Sequence, residues 1–346
     1  MFIFIYVIAF LFLIYNHRYA LQIIIYSNKS VASRLALPDT HFLLDHVRPD
    51  FLFLRVVARS LILWEDVEPS CLWIQKQIPF MVKHSYHQFG KEAERMMGLA
   101  GLATFAAMSV KGSVDVSFDN SDTAEEQNSI KDVNSGKRVK SDRQSEHVDV
   151  DRQAIRQAHT YIIAGSCFAL GLRFAGTGND KAASAITDSI RNILKLRDES
   201  DPVTLAQRPE RPIVEMCLSC TSIALAMVMS GTGDLDSLRM FRLLRWRCDD
   251  QVKYGSHMAF SAAIGLLFLG GGTCTLGRSP GDIAALLMAF FPRFPVTTSD
   301  NQFHLQALRH CYALAVRRRK IEAIDISTGD RVYVPFEVRA ILDNSI

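Results

Sequence analysis

The chain has 346 residues, 49% of them hydrophobic and 22% charged, with a formal net charge of +3. That length allows one large or two ordinary domains with a sizeable core, and so small a positive excess gives no argument for nucleic acid or an anionic membrane as partner. Seven scattered cysteines, without framework spacing, read as reduced, buried thiols rather than disulfides.

Residues 1–15 form an apolar run without a charge, interrupted by Asn16, His17 and Arg18 and resumed at 21–26. A spanning helix needs about 20 apolar residues, and a signal peptide needs a charged start and a small-residue cleavage site. Neither pattern is complete. Residues 1–27 are therefore expected to lie outside the fold, and the abrupt change after Ser27 suits a stretch set in front of an incomplete protein. A membrane anchor is the alternative reading.

Residues 28–111 read as a helical region. Pro49 can open a helix, where its missing N–H is no loss, and the following DFLFLRVVARSLILW is apolar with a helical period. CLWIQKQIPFMV is a short helix broken at Pro79, and residues 89–111 form another helix without a closing Gly-x-Gly. Over residues 112–152 ten acidic and six basic residues and seven serines stand against nine apolar ones. That composition buries too little to offset ordering, so 112–157 is expected to be a disordered insertion. Its GKRVKSDR segment at 136–143 reads as a solvated linker rather than an import signal.

Residues 158–320 repeat a unit. AHTYIIAGSCFALGLRFAG runs into Gly176-Thr177-Gly178. SCTSIALAMVMS runs into Gly231-Thr232-Gly233, and MAFSAAIGLLFL into Gly270-Gly271-Gly272. Self-similarity at this scale points to a helical array in which each unit covers its neighbour's apolar face. Gly176 and Gly231 fit left-handed C′ positions of their own helices. Asn179 or Asp180, then Asp234, cap the second helices, and Ser279-Pro280-Gly281-Asp282 makes a capping box. Gly171 and Gly265 are expected to let helix axes approach closely. Residues 299–320 read as one more helix, and 321–346 as a hairpin with Gly329 in its turn.

Chemical motifs are weak. The Gly-Thr-Gly turns lack a preceding strand and a third glycine, with Lys181 and Asp236 in its place. Cys217 and Cys220 form one C-x-x-C without a second pair. His84 and His87 have no carboxylate arranged beside them, and His304 and His310, six apart, lie on roughly opposite edges of a helical turn. The basic run at 317–320 is expected to meet a helix C-terminus. No catalytic, cofactor or metal site is expected.

YIIAGSCFALGLRFAG, SIALAMVMSGTGDL, YGSHMAFSAAIGLLFLGGG, DIAALLMAFFPRFP and SDNQFHLQALRHCYALAV resemble the proteasome/cyclosome repeats of the anaphase-promoting complex subunit 1 family. So do VASRLALPDTHFLLDHVRPDFLFLRVVARSLILWEDVEP and the closing AIDISTGDRVYVPFEV. The resemblance implies an all-α helical-repeat toroid or solenoid, here incomplete, with a short C-terminal β-hairpin. It implies a non-catalytic scaffold of a ubiquitin ligase acting in mitosis, in nucleus and cytoplasm. Its partners would be the other subunits, the cullin–RING module among them, with no nucleic acid, small-molecule substrate or cofactor. What it carries over is structural: Gly171, Gly176, Gly231, Gly265, Gly270, Gly271 and Gly272 as repeat glycines. A proteasome regulatory-particle scaffold and a membrane-anchored helical interaction protein are the alternatives.

Overall fold

A computed structural model describes residues 29–40, 42, 44, 46–111, 138–250, 252–292, 294–299, 307–319 and 323–335. The apolar leader, residues 112–137 of the expected insertion and His304 lie outside the described residues.

After a short α1 (Lys29–Arg34), α2 (Pro49–Ile62) starts on its proline and buries Leu52, Phe53, Leu54, Val56, Val57 and Ile62. Ser70 caps α3 (Cys71–Lys76) by accepting the Trp73 N–H at 3.1 Å. The chain breaks at Pro79, as its sequence requires. The residues beyond it then join 89–111 in one 32-residue helix, α4 (Phe80–Lys111).

The expected disorder of 112–157 does not extend over residues 138–157. These are helical, continuous with the first repeat helix in α5 (Arg138–Arg173). Ile155 is buried against α4, and Arg152 pairs with Glu92 at 2.9 Å. Composition averaged over the segment conceals that its end follows the apolar period of the next helix.

Paired helices follow. α6 (Asp180–Asp198) is capped by Asn179, whose side chain accepts the Ala182 N–H at 2.9 Å. α7 (Pro202–Gln207) lies against α4. α8 (Arg211–Val228) is buried along nearly its whole length. Asp234 caps α9 (Leu235–Arg245) through the Ser237 N–H at 2.8 Å. α10 (Tyr254–Leu267) ends in the triple-glycine turn. α2, α5, α8 and α10 pack side by side in chain order, and α3, α6 and α9 form a second layer over them. One apolar core runs through the array. The fold is an all-α, solenoid-like array.

α11 (Pro280–Phe290) opens on the expected capping box of Ser279 and Asp282. It reaches back to the start of the array, where the Phe291 ring meets Phe53 edge-on at 6.1 Å. Residues 307–315 form a 3₁₀ helix, and 316–318 are not helical. Instead β2 (Val316–Arg318) pairs antiparallel with β1 (Cys274–Leu276), Leu276 opposite Val316. The open edge of β1 offers ladder bonds that override the helical period of the segment. β3 (Ala323–Ile324) and β4 (Arg331–Val332) form the expected hairpin, with Gly329 at φ +75°.

Candidate functional site

The feature with a built geometry is the edge where the inner helices end. Gly176 has φ +69° and Gly231 φ +70°, the left-handed conformation that a Cβ penalises. Their amides do not return to their own helices, as a C′ cap would. The Gly176 N–H donates to the Met227 carbonyl at 2.8 Å, and the Gly178 N–H to Val228 at 2.9 Å. One unit on, the Gly231 N–H donates to Leu266 at 2.9 Å and the Gly233 N–H to Leu267 at 3.0 Å. Each glycine turn therefore caps the helix of the following unit, supplying donors to carbonyls that a helix end leaves unsatisfied. Thr177 and Thr232 brace the turns by donating their hydroxyls to Phe174 and Met229, both at 2.7 Å.

The β1–β2 ladder crosses this seam. A Cβ on Gly176 would lie 2.2 Å from the Leu276 carbonyl oxygen, and one on Gly231 2.0 Å from that of Cys274. The Thr275 hydroxyl donates to the Gly176 carbonyl at 2.8 Å, and the Arg319 guanidinium to the Ser230 carbonyl at 3.0 Å. The basic run thus meets the end of a helix, while its Arg317 pairs with Asp282.

The third turn departs from the pattern. Gly270, Gly271 and Gly272 all have positive φ, but the Gly271 and Thr273 amides turn back on their own segment, to Phe268 and Gly270. Within the helices, a Cβ on Gly171 would sit 2.8 Å from Ala224 Cα, so α5 and α8 approach closely there. Gly165, which sequence reasoning missed, does the same toward Phe53 of α2 at 3.0 Å. Gly265 is different: it is exposed, and a Cβ there would meet nothing among the described residues. Its small size admits no close neighbour in this array.

The opposite edge is held by charge. Glu215, its side chain 4% exposed, accepts from Arg197 Nε at 2.5 Å and from Arg247 Nη1 and Nη2 at 3.1 and 2.9 Å. Arg197 also pairs with Asp198 and Asp249. This cluster joins the end of α6, the start of α8 and the chain beyond α9. At the same level of α5, His159 stacks on Tyr86 with ring centroids 3.7 Å apart. Burial first, then the nearby charges of His87 and Lys83, push its pKa down to about 3.

Among the described residues the other candidates assemble no catalytic set. Cys217 and Cys220 are buried, their thiols facing the Thr160 and Ala164 carbonyls at 3.9 and 3.8 Å. Burial raises both well out of the thiolate range, and Cys167 beside them is pushed up to about 12. His84 and His87 are exposed, and no group of three potential metal ligands occurs among the described residues. The glycine amides that a phosphate would need are engaged by helix carbonyls. A cleft of about 360 Å³ opens beside the start of α2, but its Arg48 is paired with Asp50 at 2.9 Å. Two described helical stretches, 211–228 and 254–272, are long and apolar enough to cross a membrane. The first, α8, is 78% buried within the protein.

Residues 20–317 match the family described as APC1 fifth domain. The chain belongs to the anaphase-promoting complex subunit 1 family. It is 35% identical to anaphase-promoting complex subunit 1 of Arabidopsis thaliana over 317 residues, covering 89% of this chain and 16% of the relative. Against the Homo sapiens protein of that name the identity is 34%, covering 90% and 13%. A protein named negative regulator of mitosis, from Emericella nidulans, is 32% identical, covering 90% and 12%. The chain thus spans less than one-fifth of the length of these relatives. The matched region takes in all the glycine turns of the seam and reaches the first two residues of β2.

Proposed function

We propose that this chain is the repeat region of a non-catalytic scaffold subunit of the anaphase-promoting complex, a multi-subunit ubiquitin ligase controlling mitotic progression. It would join the cullin–RING module to the other subunits, in nucleus and cytoplasm. The supporting observation is the seam itself: backbone donors, buried thiols and the buried carboxylate all engage neighbouring units, which gives a shaped surface rather than a reaction centre. Repeat arrays of this kind offer extended binding area. Family membership favours the cyclosome over a proteasome particle as the assembly.

The test is affinity purification of the full-length tagged protein from dividing cells, with quantitative mass spectrometry. Near-stoichiometric recovery of the cullin–RING subunits is expected, together with their loss when Gly176→Val and Gly231→Val are combined. Full-length protein recovered alone would end the scaffold reading, and recovery in the membrane pellet after carbonate washing would favour the anchored alternative.

A further inference from the structure

The outer helix α9 presents a face that its own fold does not use. Ser237, Phe241 and Leu244 are buried toward the array, and this satisfies the helix's packing. The opposite side of such a helix is normally polar. Here Leu235, Arg239, Arg242 and Trp246 recur at i, i+4, i+7 and i+11, a single stripe directed away from the core, with Leu243 beside it. Leu235 is 62% exposed, Leu243 59% and Trp246 77%.

The charges on this face are uncommitted. Arg242 and Arg245 are exposed, and neither side chain has a partner among the described residues. Arg239 reaches only the exposed Asp236, at 2.9 Å, an ion pair that water and salt weaken. Three arginines therefore stand against one aspartate around an exposed indole. Arg and Trp are the side chains that most often dominate protein interfaces, and an exposed apolar stripe between like charges does nothing for solubility.

We propose that the outward face of α9 docks an acidic peptide segment of a partner protein, its carboxylates on Arg239, Arg242 and Arg245 and a large apolar side chain against Leu243 and Trp246. Charge complementarity selects the acid, and the apolar stripe distinguishes the occupant from a plain polyanion. The carboxylate of Asp236 at the margin and that of exposed Asp250 beyond the helix disfavour a nucleic-acid backbone.

The test places the photo-reactive residue p-benzoylphenylalanine at position Leu243 of the full-length protein, with the exposed Ser184 of α6 as the control position. Cells are irradiated before lysis, and the cross-linked segment is identified by mass spectrometry. The expected adduct from position 243, not from 184, is one protein segment with Asp or Glu flanking an apolar residue. Reversing the charges (Arg239→Glu, Arg242→Glu, Arg245→Glu) should lower its yield about tenfold with the thermal melt unchanged, since these side chains are exposed. Cross-linking only to nucleic acid, lipid or a neutral or basic segment would overturn the proposal, as would no adduct or a yield unaffected by the reversal. Because the irradiation precedes purification, an assembled complex without the adduct rejects the docking face alone, and a protein that purifies alone rejects the scaffold alone.

Discussion

The two edges of the array are held together by different chemistry. Where the inner helices end, glycine amides of one unit bond carbonyls of the next, and these backbone bonds involve no titrating group. At the opposite edge, where α8 begins, a buried carboxylate gathers two arginines from neighbouring elements, and on α5 a neutral histidine lies flat on a tyrosine ring. The first edge depends on backbone conformation and space. The second depends on ionisation. They should therefore fail under different stresses.

The strongest break is expected at the glycine edge. Gly231→Val combines a left-handed φ with a Cβ 2.0 Å from the Cys274 carbonyl oxygen. Strain of about 1–3 kcal/mol and overpacking of similar size add to a loss of about 4 kcal/mol. Chemical denaturation should find that loss equal at pH 5 and pH 8. A variant as stable as the parent would remove the seam from the account.

Next comes Glu215→Ala, which leaves Arg197 and Arg247 facing each other in a largely buried site. Breaking a buried pair typically costs about 3–5 kcal/mol, and the other carboxylates on Arg197 put the expectation at about 3. Adding an apolar Arg247→Met should recover part of it. If the double variant is no better than the single, charge is not what joins this edge.

The effect that is smallest near neutral pH belongs to His159. Its folded pKa of about 3 lies below the ordinary 6.5, so the unfolded chain binds more protons between these values. Stability from keeping the imidazole neutral is then complete above pH 6.5 and is lost as pH falls toward 3, by at most about 1.4 kcal/mol per pH unit. His159→Phe keeps the stacked ring and should flatten the acid limb of the melt-versus-pH curve. An unchanged limb would mean that another group governs acid sensitivity.

Much of this was legible in the residues. The three glycine-ended helices, the caps at Asn179, Asp234 and Ser279 and the hairpin around Gly329 all follow from local rules, because each needs only neighbours in sequence. The destinations of the glycine amides were not legible: αL geometry at Gly176 announces a turn, but Met227 is a partner of the assembled array alone. For the same reason the sequence does not mark the unit formed by α2 and α3. It packs on α5 much as α5 packs on α8, yet closes on Trp64-Glu65-Asp66 without a Gly-x-Gly. Gly265 shows the converse, since a small residue at helical spacing permits close approach and does not compel it. The strand at 316–318 arose from an edge that only the tertiary fold exposes.

The seam also imposes an order on synthesis. The amide of Gly176 must wait for the carbonyl of Met227, a residue that leaves the ribosome 51 positions later. At ordinary elongation rates of about 5–20 residues per second, that is a delay of roughly 3–10 s. During it the first turn has emerged but cannot close. Each turn is therefore a clock set by its successor, and the array matures one unit behind the growing chain.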